Sequence, residues 1–118
     1  MARHLQVRVL RAGEPLTELR LLAAFDLLRR ARGLLGRAQP LPGHGLWLKP
    51  CSAVHCWFMR YRIDVLFLDG DGRVLKSVAS LRPWRMAACR GARSVVEMAS
   101  GEVQRLNIRE GDVISCVA

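Results

Sequence analysis

The feature that most constrains the fold is a series of short apolar runs separated by turn residues, clearest at residues 64–80. The run DVLFLD is apolar enough to be buried on both faces. A turn rich in Asp and Gly follows at residues 69–72, and then RVLKSVAS alternates apolar and polar positions. This order is typical of a β-hairpin. We therefore predict two antiparallel strands here.

The rest of the chain shows the same pattern of short apolar or alternating runs separated by turns. Residues 4–11 alternate, residues 12–15 form a turn, and residues 16–25 fit either a helix or a strand. The short turn favours a strand paired with the first. Further strands are predicted at residues 46–49, 94–100 and 113–118, and residues 102–107 can form a helical turn.

One short helix is predicted near residues 26–36, where Asp26 can cap the first turn and leucines follow at helical spacing. The connections between most strands are too short for parallel crossovers. We therefore predict a single domain, residues 1–118, of mostly β (α+β) class. It would be a small antiparallel β-barrel or sandwich with that one helix.

Composition adds limits on partners and location. The chain has 19 basic and 10 acidic residues, a net charge of +9, and 51% hydrophobic residues, which excludes a disordered chain. The charge favours polyanions without choosing among nucleic acid, acidic lipid and acidic protein. Residues 1–15 lack the apolar core of a signal peptide, and no run approaches the roughly 20 residues that span a bilayer. We expect a cytoplasmic protein with reduced thiols and no membrane partner.

Five segments occur in an order that resembles a known family. They are ARGLLGR from residue 31, HGLWLKP from 44, VHCWFMRYRIDVLFLDGDGRVL from 54, RSVVEMASGE from 93 and IREGDVI from 108. Together they resemble the bacterial and archaeal domain-of-unknown-function family 192, over residues 16–117. Two positions depart from the family pattern: Cys56 stands where threonine is usual, and Arg62 where proline is common. The resemblance implies a bacterial, compact, mostly β protein, and no established reaction or cofactor.

Residues 51–59 collect several soft metal ligands: Cys51, His55, Cys56 and Met59. In an extended strand His55 and Cys56 face opposite ways, which weakens both a metal site and a Cys56–His55 catalytic pair. We therefore predict no metal, no cofactor and no catalytic residue. A disulfide between Cys51 and Cys89 is left open.

A polar pocket is the alternative use of the same region. Asp64 and Glu97 lie in apolar strands, and a buried carboxylate needs a partner. Two carboxylates with two nearby arginines suggest structural ion pairs, or else a small anion site built by arginine. The predicted ligand-binding residues are His55, Met59, Arg60, Asp64, Arg32 and Trp84. In this prediction Arg60 and Arg32 bind the negatively charged group of the ligand, and His55 supplies a titratable hydrogen-bonding group.

The functional prediction is a non-enzymatic binding module for a small anionic ligand or an acidic protein partner. One alternative is a small hydrolase or transferase that uses His55 and Asp64 as acid and base. A second alternative is single-stranded nucleic-acid binding through the arginine-rich surface, where Tyr61 lies between Arg60 and Arg62. No recognition motif for nucleic acid is present, so this partner is less favoured.

Overall fold

The computed structural model describes residues 3–26, 29–30, 33–34 and 36–117. In that part of the chain, nine strands and a short helix follow one another. They are β1 Arg3–Arg11, β2 Glu14–Ala24, β3 His44–Leu48, β4 Ala53–His55, β5 Ile63–Leu68, β6 Val74–Leu81, β7 Met86–Ala88, β8 Ser94–Ala99, α1 Glu102–Arg105 and β9 Val113–Cys116. The mostly β class is confirmed. No helix among the described residues is long and apolar enough to cross a membrane.

Seven strands form one mixed sheet in the order β6-β5-β8-β3-β2-β1-β9. Most neighbours are antiparallel, as predicted, but β2 and β3 are parallel. Residues 25–43 connect these two strands, and a connection of a dozen or more residues is long enough for a parallel crossover. This pair is the exception to the predicted, mostly antiparallel arrangement. The barrel alternative is wrong about closure, because β6 and β9 lie at the two ends of the strand order with no ladder between them. Residues 72–74 and 111–114 are linked by an isolated bridge between Arg73 and Val113 and by three backbone hydrogen bonds beside it.

The ambiguous run at residues 16–25 is a strand, and its hairpin with β1 is confirmed. The turn explains why. Ala12 and Gly13 both have positive φ, 51° and 80°, as a two-residue type I′ turn requires, and this turn has the twist that suits paired strands.

Strands β4 and β7 form a separate two-stranded sheet, with Val54 opposite Ala87 and His55 opposite Met86. Neither β4 nor β7 is among the strands that the sequence predicted. The chain turns between His55 and Ile63, where Phe58 adopts a left-handed φ of 64°. That turn separates β4 from β5 and leaves β4 to pair with β7.

The central strands of the large sheet, β3, β5 and β8, are buried on both faces. Alternate residues of β5 enter two different core clusters: Leu66 and Leu68 pack into one, and Val65 and Phe67 into the other. This explains why β5 and β8 are apolar runs without alternation. Full burial of each such side chain stabilises the fold by about 1.5–3 kcal/mol.

The predicted helix near residues 26–36 is only partly within the described residues. Arg29 and Arg30 are helical, and the backbone N–H of Gly33 donates to the carbonyl of Arg29. Asp26 Oδ1 accepts the backbone N–H of Arg29 at 2.8 Å, which confirms the predicted cap. Residues 27, 28, 31, 32 and 35 lie outside the described residues, and with them the predicted ligand-binding residue Arg32.

The substitution Gly72→Ala is expected to lower the free energy of unfolding by about 2 kcal/mol. Gly72 has a φ of 83°, and an added Cβ would lie 2.3 Å from the carbonyl oxygen of Ile114. The clash falls where the two sheet edges meet. Gly70→Ala is the matched control, because its Cβ would meet nothing closer than 3.9 Å. Urea denaturation of both variants gives the comparison, and equal stabilities would contradict the expectation.

Candidate functional site

Asp64 is buried and its carboxylate is fully engaged by backbone donors. Its Oδ1 accepts the N–H of Ser80 at 2.9 Å, and its Oδ2 accepts the N–H groups of Gly101 and Val103 at 3.0 Å each. It therefore ties β5 to the end of β6 and to the start of α1. These three bonds give Asp64 a structural role.

Two other buried carboxylates are also satisfied. Asp112 receives a forked pair of hydrogen bonds from Arg11, both at 2.9 Å, and these lower the pKa of Asp112 against the effect of its burial. Glu102 accepts from Arg105 and from the backbone N–H of Gly43, and its pKa is lowered chiefly by the bond from Arg105. Both carboxylates fasten loops to the sheet.

Glu97 is the exception among the buried acids. It lies in the middle of β8 with 4% of its surface exposed, and its Oε1 has no hydrogen-bond partner in the described part of the chain. Loss of solvation raises the pKa of this carboxyl to about 7. Close to neutral pH the group therefore exists both as a neutral donor and as an anionic acceptor. An unpaired buried carboxyl costs stability, so it calls for a reason.

A cavity of about 90 Å³ adjoins Glu97. Its wall also carries Arg30, Cys51, His55, Trp57 and Met59, together with apolar side chains from β3, β4 and β5. Gly33 keeps this space open, because a Cβ there would lie 3.3 Å from Oε1 of Glu97.

Arg30 brings a second unpaired group to the same wall. Its Nε is buried and has no hydrogen-bond partner among the described residues, while its Nη1 donates to the carbonyl of Pro50 at 3.1 Å. The bond to Pro50 holds the guanidinium in place without using Nε. A fixed donor and a titratable carboxyl thus line one small cavity.

Aromatic and sulfur side chains form the outer part of the wall. The rings of His55 and Trp57 stack with centroids 4.6 Å apart, and both side chains are exposed. Cys51 is half-buried, and its thiol donates to the carbonyl of Ala53. The cavity therefore has a polar inner end at Glu97 and an aromatic outer part.

The thiols near Glu97 are unsuited to nucleophilic chemistry. Burial raises the pKa of Cys56 to about 11, and it raises the pKa of Cys51 as well, with the charge of Glu97 adding to both effects. Both thiols are protonated near neutral pH, and a thiol is a poor nucleophile. All four cysteines are unpaired. The described residues contain no group of three His, Cys, Asp or Glu side chains that could hold a metal.

The structure separates the residues that the sequence grouped together. His55 and Met59 line the Glu97 cavity, whereas Arg60 lines a neighbouring cavity that shares Met59 with it. Asp64 lies on the other face of the large sheet from Glu97, because β5 and β8 pair Asp64 with Met98 and Val65 with Glu97. Trp84 lies in the loop before β7 and is 59% exposed.

The sequence favoured a structural ion pair for Glu97, with a small anion site as the alternative, and it did not select Arg30. The signal for Glu97 was present, since it is the one charged residue in the apolar run SVVEMA. Arg30 gave no such signal, because it is one of several arginines in its segment.

Comparison with known proteins gives the family. A sequence profile of domain of unknown function 192, described as "Uncharacterized ACR", matches residues 8–116. The chain belongs to this family. A UPF0127 protein of Pyrococcus abyssi is 33% identical over 101 residues, covering 80% of this chain and 83% of that protein. A UPF0127 protein of Thermococcus sibiricus is 36% identical over 64 residues, covering 53% of this chain and 41% of that protein. The predicted membership in family 192 is confirmed.

Two crystal structures share the fold. A protein of Sinorhizobium meliloti 1021, described as a proposed transcription regulator, superposes with a TM-score of 0.87 and 24% identity, over 97% of this chain and 94% of its own. A protein of unknown function from Novosphingobium aromaticivorans superposes with a TM-score of 0.84 and 22% identity, over 95% of this chain and 84% of its own. At these identities the likeness extends to the fold alone.

Proposed function

We propose that this member of family 192 is a binding module for a small monocarboxylate, which it takes into the cavity between Glu97 and Arg30. The observation that carries the proposal is the unpaired, buried carboxyl of Glu97 at the cavity wall. Buried polar groups nearly always have a hydrogen-bond partner. A ligand that supplies one to Glu97 would remove the free-energy cost of leaving this buried carboxyl unpaired.

The chemistry of the two unpaired groups favours an anion. The Nε–H of Arg30 can only donate, and a protonated Glu97 can donate as well. A carboxylate offers two acceptor oxygens, one for each donor. The net charge of +9 further favours the approach of an anion.

The size of the cavity limits the ligand. A volume of about 90 Å³ equals the share of about three water molecules in the liquid, so it suits a ligand of the size of acetate or propionate. The alkyl end of such a ligand would lie against the apolar side chains from β3 and β4.

Acetate is expected to bind about 30-fold more weakly at pH 8.5 than at pH 6, because the protonated fraction of Glu97 falls by that factor around a pKa of about 7. Chemical-shift titration with acetate at the two pH values measures the ratio. Glu97→Gln keeps a donor at this position without titrating, so its affinity for acetate should be nearly the same at both pH values.

Three comparisons make this test specific. The exposed Glu110→Gln variant should keep the pH dependence of the wild type. His55→Gln removes the imidazole that also lines the cavity. The proposal expects acetate binding by this variant to keep the pH dependence of the wild type. The neutral isostere acetamide should bind more weakly than acetate at pH 6. No acetate binding at pH 6, or tighter binding of acetamide, would contradict the proposal.

Acid–base catalysis by His55 and Asp64 has less support. Both oxygens of Asp64 already accept backbone N–H groups, and Asp64 does not line the cavity that contains His55.

A further inference from the structure

Charge is distributed unevenly along the sequence. Residues 27–63 contain seven basic residues and residues 72–96 contain six, and neither segment contains an Asp or a Glu. These two segments therefore hold most of the 19 basic residues. They also supply both strands of the small β4–β7 sheet and the loops that flank it.

Large apolar side chains are exposed on the same loops. Phe58 is 68% exposed and Trp84 is 59% exposed, and their rings meet edge to face at 4.7 Å. The His55–Trp57 pair is next to them along the chain, since Trp57 and Phe58 are consecutive. We call His55, Trp57, Phe58 and Trp84 the aromatic face. Four rings grouped at the surface exceed what scattered exposed hydrophobic residues would produce.

The backbone holds two of these rings in place under strain. Phe58 and Trp84 have φ angles of 64° and 68°, in the left-handed region that bulky side chains avoid. The two loops are joined at Cys56, whose carbonyl accepts the N–H of Trp84 at 2.7 Å and whose N–H donates to the carbonyl of Arg85 at 2.8 Å. Strain maintained by surrounding bonds is typical of functional surfaces.

Arginines lie beside the aromatic face along the chain. Arg60 and Arg62 follow Phe58, and Arg82 and Arg85 flank Trp84. All four are exposed, and none forms an ion pair among the described residues. The surface thus combines exposed aromatic rings with arginines whose charge is not neutralised by an acidic side chain of the described residues.

We propose that the aromatic face and these arginines bind single-stranded nucleic acid. Exposed rings can stack on unpaired bases while arginines contact the phosphates between them, which is how small β domains hold single strands. An acidic peptide would use the arginines but would leave the rings without stacking partners. This surface borders the proposed carboxylate site, because His55 and Trp57 also line the Glu97 cavity, whereas Phe58 and Trp84 do not.

Fluorescence anisotropy with labelled twelve-nucleotide dT and rU strands tests the proposal. The variants Phe58→Asn and Trp84→Asn remove a ring, and asparagine tolerates the left-handed backbone. Each is expected to weaken binding about 5- to 150-fold. Leu41→Asn is the matched control, because Leu41 is equally exposed, at 66%, but lies outside the aromatic face. Its affinity should match the wild type.

Salt dependence provides a second readout. The double variant Arg82→Gln, Arg85→Gln should reduce the slope of log affinity against log salt by about 1.4, since each lost phosphate contact contributes about 0.7 for single strands. The double variant Arg3→Gln, Arg20→Gln changes the net charge equally at two exposed positions of β1 and β2. It should leave the slope almost unchanged.

Several results would overturn the proposal. They are no binding of either strand at 50 mM salt, equal losses in the two arginine double variants, or unchanged affinity in Phe58→Asn and Trp84→Asn. Binding of the wild type to phosphatidylserine vesicles without binding to the oligonucleotides would assign the surface to a membrane instead. Acetate titration of the same variants keeps the two functions apart, because it should be unaffected.

Discussion

Glu97→Gln is expected to be more stable than the wild type at pH 8, by up to about 3 kcal/mol, and this difference should shrink to less than about 1 kcal/mol at pH 5. The pKa of Glu97 is about 7 in the folded protein against an ordinary value of 4.5. Between these values the folded protein keeps a proton that the unfolded chain releases. The free energy of unfolding of the wild type therefore falls as pH rises through this window, by about 1.4 kcal/mol for each unit of difference.

Urea denaturation of both proteins at half-unit steps from pH 5 to pH 8 measures this difference. Asp26, Glu102 and Asp112 have lowered pKa values, so their stabilisation is lost only as the pH falls further. They affect both proteins alike. Glu110→Gln, at an exposed position, should follow the wild-type curve. Parallel curves for Glu97→Gln and the wild type would show that Glu97 does not carry the pH dependence.

Asp64→Ala is expected to lower the free energy of unfolding by about 4 kcal/mol. It would leave the N–H groups of Ser80, Gly101 and Val103 without their acceptor, and Val103 is buried. Hydrogen bonds to a charged group contribute about 1.5–3 kcal/mol each, and part of this is recovered where water reaches the freed donors.

Two variants calibrate that loss. Asp64→Asn keeps one acceptor oxygen and should lose about half as much. Asp71→Ala removes a carboxylate at an exposed position and should change stability by less than about 0.5 kcal/mol. Guanidinium denaturation measures all three. Acetate binding by folded Asp64→Asn should match the wild type, and a loss of binding without a loss of stability would instead place Asp64 in a ligand site.

The contrast between Asp64 and Glu97 arises from strand register. The two residues lie on neighbouring strands, one step out of register, so their side chains leave opposite faces of the sheet. On one face Asp64 meets the free backbone donors at the start of α1. On the other face Glu97 meets a cavity. Two carboxylates in similar apolar runs thus have different roles.

The sequence by itself determined the seven strands of the large sheet and the hairpins β1–β2 and β5–β6. Alternation, apolar runs and turn residues such as those at 12–13 and 69–72 act over a few residues, so local pattern is enough to predict them. It also determined the cap at Asp26 and the family. The run of residues 51–59 drew attention to the region in which the Glu97 cavity lies, although it did not give the geometry of that cavity.

Only the tertiary structure decided the parallel β2–β3 pair, the separate β4–β7 sheet and the cavity. These depend on how residues far apart in the chain come together, such as Arg30 and Glu97, which line one cavity although no local pattern links them. The left-handed turn at Phe58 also redirected the chain, so that Cys51, His55 and Met59 line one cavity without a straight strand. Charged residues within apolar strands predicted a polar pocket here. Burial and strand register decided that the carboxyl of Glu97 is the unpaired group on its wall.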